Sequence, residues 1–182
     1  MKQRAYSTLF LGPPMPEIQT GYVPGALGRI IELHETYYSE NWHLDYAFTH
    51  EVAVELAEFL SRYDDADNRL WLVMNDRDEA GEQQIMGSLV VDAGHSDDEG
   101  GVRIRWVILA SELHGQGLGR ELMDRAMSYC ENSGFDRVYL WTYEGLEAAR
   151  HLYEMHGFRL IKEEPHHDWG PEITYQLFEV YL

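Results

Sequence analysis

The sequence predicts a mixed α/β domain, a twisted and mostly antiparallel sheet of about six or seven strands flanked by four helices. Three observations carry this. Two early segments repeat apolar residues at helical spacing. Three short apolar runs then follow one another across acidic, glycine-containing turns. The remainder alternates strand, helix, strand, helix, strand, strand. Taken in order, the first twenty or so residues are rich in Pro and Gly and offer only an edge strand over 18–23, ending at Pro24-Gly25. ALGRIIELHETYY (26–38) then places Leu27, Ile30, Ile31, Leu33, His34 and Tyr37 near one helical face. A turn over 39–45 leads to FTHEVAVELAEFLSRY (48–63), with Phe48, Val52, Leu56, Phe59 and Leu60 as its apolar stripe.

RLWLVMN (69–75), QQIMGSLVVD (83–92) and VRIRWVILA (102–110), separated by NDRDEAGE and AGHSDDEGG, read as an antiparallel meander. LGRELMDRAMSYCENSGF (118–135) follows as a helix opening at Gly117. Leu118, Leu122, Ala126 and Cys130 share one face, Met123 and Met127 fill gaps beside them, and Gly134 serves as C-cap. DRVYLWT (136–142) is a strand, 144–156 a helix ending at Gly157, and 158–164 and 173–182 the last two strands, joined by PHHDWGPE. The final strand, ITYQLFEVYL, leaves an edge for a second copy to cover, so a homodimer is expected.

With 182 residues, 45% hydrophobic and 25% charged, the chain fits a single domain over 1–182, residues 1–20 forming an N-terminal extension. The early apolar stretch is broken by Gly12, Pro13, Pro14 and Pro16, so it does not read as a signal peptide, and no apolar run reaches the roughly 20 residues of a membrane span. Cys130 is the single cysteine, which excludes an internal disulfide and argues against a zinc ribbon. A bacterial-type cytoplasm is the natural compartment. The net charge of −18 disfavours a nucleic-acid surface. It is uneven: residues 1–102 carry 6 basic and 19 acidic side chains (net −13), residues 103–182 carry 8 and 13 (net −5). Most such charge only solvates a surface. Here it also suits a cationic acceptor toward the N-terminal part and an anionic ligand toward the C-terminal part.

The most specific segment is His114-Gly115-Gln116-Gly117-Leu118-Gly119-Arg120, between the 102–110 strand and the next helix. Three glycines ahead of a helix N-terminus leave backbone N–H groups free at the positive end of the dipole, a cradle for a pyrophosphate. This order of elements, with the glycine loop after the fourth strand, resembles the GNAT superfamily of N-acetyltransferases, whose donor is acetyl-CoA. His114 to Gly119 matches that family's Arg/Gln-x-x-Gly-x-Gly/Ala except at its first position, and Ala149-Arg150-His151-Leu152-Tyr153-Glu154-Met155-His156-Gly157-Phe158 is similar to its Ala-x-x-Leu-Tyr-x-x-x-Gly-Phe. Over about residues 21–182 the chain looks like the acetyltransferase domain at the C-terminus of some MarR-type regulators, here without room for a winged helix. Leu146 stands where many members have an Asn that touches the cofactor.

The resemblance implies a GNAT fold and acetyl-CoA as co-substrate, with no metal. Backbone groups near Val107 and Leu109 would pair with the pantetheine arm, and His114, Gly115, Gln116, Gly117, Gly119 and Arg120 would hold the pyrophosphate, mostly through their amides. A backbone N–H near Leu109 would polarise the thioester carbonyl. Tyr153 is the expected general acid, a phenol of pKa about 10 facing a thiolate of pKa about 8.5. A base is needed for the amine. The candidates are Glu35, Tyr38 and Trp42 at the first helix and His166, His167 and Asp168 in the last loop, with Tyr38, Trp42, His166 and His167 as acceptor contacts. The expected activity is acetyl transfer to a small cationic amine or amino acid. A protein lysine or N-terminal acetyltransferase, and a non-catalytic acyl-CoA sensor, are the alternatives; no nucleic acid or membrane is expected as partner.

Overall fold

A computed structural model describes residues 16–75, 83–94 and 101–182. Most of the extension over 1–20, and most of the two acidic turns inferred at 75–82 and 93–101, lie outside them. The elements run β1 (Glu17–Thr20), α1 (Ala26–Trp42), α2 (Tyr46–Ser61), β2 (Arg69–Met74), β3 (Ile85–Asp92), β4 (Val102–Leu109), a 3-10 turn (Ser111–Leu113), α3 (Leu118–Asn132), β5 (Arg137–Tyr143), α4 (Glu147–Met155), β6 (Arg159–His166) and β7 (Ile173–Tyr181). All seven strands form one sheet in the order β1-β2-β3-β4-β5-β7-β6. Every pairing is antiparallel except β4 with β5. The fold class, the meander and the four helices are those read from the sequence.

Local chemistry sets the boundaries. α1 runs four residues past the expected end because its apolar stripe continues to Trp42; His43, at φ 56, then closes it by donating its N–H to Tyr38 O. Asp45 caps α2, its carboxylate accepting the Ala47 N–H at 2.8 Å, so the expected turn over 39–45 shrinks to 43–45. α3 ends at Ser133, one residue before the expected Gly134, which follows at φ 75 as the left-handed residue past the helix end.

One expectation is overturned. The last strand, β7, is interior, paired with β5 over residues 175–181 and with β6 on its other side, which leaves β6 as the edge. Sequence order suggested an edge because the chain stops there, but the β6–β7 hairpin folds back so that the strand richer in buried residues takes the inner place. β6 carries Lys162, Glu163, Glu164 and Pro165, which discourage pairing with another chain. Among the described residues no helix is long and apolar enough to cross a membrane.

All eight residues of β3 are buried. α1 and α3 both pack on it, which covers a central strand on both faces. α3 contributes Leu118, Leu122, Met123, Ala126, Met127 and Cys130, the face expected from its spacing. At the end of β3 a fully buried carboxylate, Asp92, joins three elements. Arg62, just past α2, donates to it through Nη1 at 2.8 Å and Nη2 at 2.7 Å. Arg105 of β4 donates at 3.2 Å and also binds Glu55 of α2.

Burial by itself raises the pKa of Asp92, but the two guanidinium groups outweigh it and hold the carboxyl below the usual value. A depressed folded-state pKa gives stability that is present above the unfolded pKa, about 3.9, and is lost as the pH falls through the folded value. Removing one partner of such a buried cluster leaves uncompensated charge and costs about 3–5 kcal/mol. Asp92→Asn is therefore expected to lose about 3 kcal/mol in urea unfolding at pH 7. Between pH 5 and 3 its stability should fall less steeply than that of the wild type.

Candidate active site

The site begins where β4 leaves β5. Their parallel ladder runs only from Val102↔Val138 to Ile104↔Leu140. On the opposite side β4 stays paired with β3 to Gly87↔Leu109, but the register slips between Ser88 and Val90. At that bulge Trp106 takes φ 46, a left-handed conformation rare for a bulky residue. Ser88 Oγ donates to Trp106 O at 2.7 Å, Phe59 packs on the indole at 5.5 Å between centroids, and the Arg105 guanidinium lies 4.1 Å over it. Val107 and Leu109, half-buried, thus lie on the stretch of β4 that β5 does not pair.

From Leu109 the chain makes the 3-10 turn, passes extended His114 and enters the glycine loop. Gly115 has φ 74 and Gly117, the N-cap of α3, has φ 83. A Cβ on either would meet nothing within 4 Å, so the glycines are needed for the left-handed turns, and the space over the loop is open. No side chain caps α3. The first N–H groups of the helix lack intrahelical acceptors, as at any helix N-terminus, and face open space. The side chains play smaller parts. His114 Nε2 sits 3.0 Å from Leu109 O, Gln116 donates to Glu112 O at 2.8 Å, and Arg120 is exposed, 4.0 Å from Asp124. His114 thus turns back onto β4.

Beside the β4–β5 gap lies a cleft of about 90 Å³. Val107, Tyr38 and Tyr153 line it, as expected, along with residues from α1, α2, β4, β5, β7 and the last loop. Its rings hold each other edge-on: Tyr143 lies 5.3 Å from Tyr38 and 5.5 Å from Trp169, and Phe48 lies 4.9 Å from Tyr38 and 5.3 Å from Trp169. Trp169 donates Nε1–H to Glu51 at 2.8 Å, and its carbonyl accepts the Asp45 N–H at 3.0 Å, so the β6–β7 loop is fixed to α2. Glu51, Glu55 and Trp169 also border an outer basin of about 350 Å³ with His50 and Asp168. The two spaces thus share two carboxylates and an indole as lining.

Burial raises the pKa of Tyr38, Tyr143 and Tyr153, and pushes Tyr175 up to about 12, so all four are phenols at neutral pH. Burial also lowers His34 to about 4, against the opposing hydrogen bond to Ile30 O.

Several expected residues fall elsewhere. Glu35 is exposed and does not line the cleft; its neighbour His34 does. The helical stripe that carries Leu33 and His34 inward turns Glu35 outward. Trp42 lies outside the lining, packed against Tyr143 and over Gly145. His166 lies against Trp169 with the rings tilted, 3.9 Å between centroids, and outside the cleft lining, and His167 is exposed, 3.7 Å from Glu172. Asp168 reaches the outer basin. Sequence reading passed over His34, Glu51, Glu55, Arg103 and Arg105. The signals were present: two arginines inside an otherwise apolar strand, and two glutamates one helical turn apart on α2.

Solved structures share this fold. A GNAT-family acetyltransferase from Staphylococcus aureus Mu50 has a TM-score of 0.66 at 17% identity, covering 91% of this chain and 99% of that one. An acetyltransferase from Salmonella typhimurium, solved with its cofactor acetyl-CoA, has 0.65 at 15%, covering 93% and 95%. A ribosomal-protein-alanine N-acetyltransferase from Brucella melitensis has 0.64 at 12%, covering 91% and 99%. The acetyltransferase (GNAT) family model matches residues 27–158, from the start of α1 through the glycine loop and the Tyr153 helix. The chain therefore belongs to the GNAT family of acetyltransferases.

Proposed function

We propose that the protein is a single-domain N-acetyltransferase that moves an acetyl group from acetyl-CoA to a small cationic primary amine. One observation carries this reading: the unpaired stretch of β4 lines a cleft that holds Tyr153 and leads along the chain to the glycine loop at the head of α3, and the cleft shares Glu51 and Glu55 with a neighbouring basin that also holds Asp168. The glycine loop suits the pyrophosphate because its left-handed turns and uncapped helix end supply donors with open space above them. When bound, acetyl-CoA supplies the activated thioester carbonyl.

The chain's own residues do the rest. The β4 backbone at Val107 and Leu109 offers N–H and C=O groups to the pantetheine amides as an added strand would, and an N–H there stabilises negative charge on the carbonyl oxygen. Leu109 O already has the His114 ring against it, so the ring must move or share that carbonyl. Tyr153, kept neutral by burial, donates its proton to the leaving sulfur. The carboxylates on the outer side attract an ammonium group and repel anions. The small inner volume favours a slender amine terminus. A protein substrate remains the second reading, favoured by the open outer basin.

Thiol release and product mass, followed with acetyl-CoA and a panel of amines, are expected to show acetylation of diamines or cationic amino acids. Tight acetyl-CoA binding with no transfer to any amine or peptide would leave only a sensor. Tyr153→Phe should lower kcat about 100-fold while leaving acetyl-CoA affinity, measured by calorimetry, within about twofold. Gly117→Val forces a β-branched residue to φ 83 and should weaken acetyl-CoA binding at least tenfold.

A further inference from the structure

The geometry points to His34 as the group that holds the acceptor nitrogen and takes its proton. The proton transfer rests on the acetyl-transfer reading; the hydrogen bond does not. His34 is 5% exposed and lines the inner cleft from α1. Its Nδ1 lies 2.8 Å from Ile30 O. A carbonyl can only accept, so Nδ1 carries the hydrogen and Nε2 keeps a lone pair. Among the described residues nothing donates to that lone pair. The ring lines the cleft, so a ligand N–H there can reach that acceptor.

The charged side chains of the cleft have partners. Glu51 accepts from Trp169, Glu55 binds Arg105, and Arg103 lies 3.5 Å from the Tyr175 hydroxyl. Tyr38 stacks on the His34 ring at 6.1 Å and shares the cleft with Tyr153. His34 and the expected acid thus border one small volume, a disposition suited to an amine held between a proton acceptor and a proton donor.

The steps balance as follows. The neutral amine donates one N–H to Nε2, and its lone pair attacks the thioester carbonyl carbon. As the C–N bond forms, the nitrogen becomes acidic enough to pass that proton to Nε2. Collapse breaks the C–S bond, the electron pair goes to sulfur, and Tyr153 protonates it. Water in the open cleft then returns the proton from the imidazolium to the tyrosinate. With a pKa of about 4, His34 is neutral above roughly pH 5 and cannot strip a free ammonium ion, so it acts on the adduct. Tyr38 of α1, Glu51 and Glu55 of α2, Arg103 and Arg105 of β4, Tyr143 of β5, Tyr153 of α4 and Tyr175 of β7 are the ionisable groups around the same cleft.

Two measurements test this, with ethylamine as probe. In protein labelled with 15N-histidine, the resonance lost in His34→Gln should show a neutral ring with Nδ1 protonated from pH 5.5 to 8, and its Nε2 signal should shift when ethylamine is added. An Nε2–H tautomer, or an Nε2 signal that stays still while other cleft resonances move, overturns the proposal. In acetyl-CoA turnover, His34→Leu should lower kcat about 100-fold or more. His34→Gln, which keeps an acceptor atom but takes no proton, should hold the amine KM within about threefold and still lose kcat. Undiminished turnover in His34→Leu overturns the catalytic role. A wild type that shifts Nε2 yet releases no thiol overturns acetyl transfer, and the proton step with it, while the hydrogen bond stands.

Discussion

The short pairing between β4 and β5 is the constraint on which the rest of the structure depends. Three residue pairs hold the strands together, and beyond Ile104 the β4 backbone has no β5 partner. A central sheet with unpaired amides and carbonyls is costly unless something else satisfies them. The bulge at Trp106 lets β4 remain bonded to β3 while it parts from β5, and the cost of a left-handed Trp is offset by Ser88, Phe59 and Arg105 around it. The gap exposes a strand edge deep in the fold, next to the N-terminus of α3 on one side and Tyr153 on the other.

The wall facing that gap is rigid. Trp169 is bonded to α2 through both its ring and its carbonyl, and Phe48, Tyr38, Tyr143 and Tyr175 lean on one another behind it. Asp92 with Arg62 and Arg105 fixes Glu55 from beneath. These groups leave little freedom for a loop to close over the acceptor. The inner cleft they line is narrow and preformed.

Much of the fold was legible because periodicity is local. The stripe of α3, the all-buried run of β3 and the glycine at φ 83 are each written into fewer than twenty consecutive residues. The glycine loop was legible for the same reason, since its conformation depends on its own dihedral angles. The acceptor side was not. Its lining comes from seven separate parts of the chain, which no local period brings together. The arginines of β4 read as solvated charge until Glu55 and Asp92 are seen opposite Arg105.

The edge assignment of the last strand failed on the same ground. Strand order in a sheet is a long-range property, and the insertion of β7 between β5 and β6 has no local signature. The sequence by itself determined the elements, the apolar faces and the glycine loop before α3, because these follow from side-chain period and from the conformational freedom of glycine. Only the tertiary structure decided the strand order, the extent of the β4–β5 gap and the company of His34, because those are set by contacts between residues far apart in the chain.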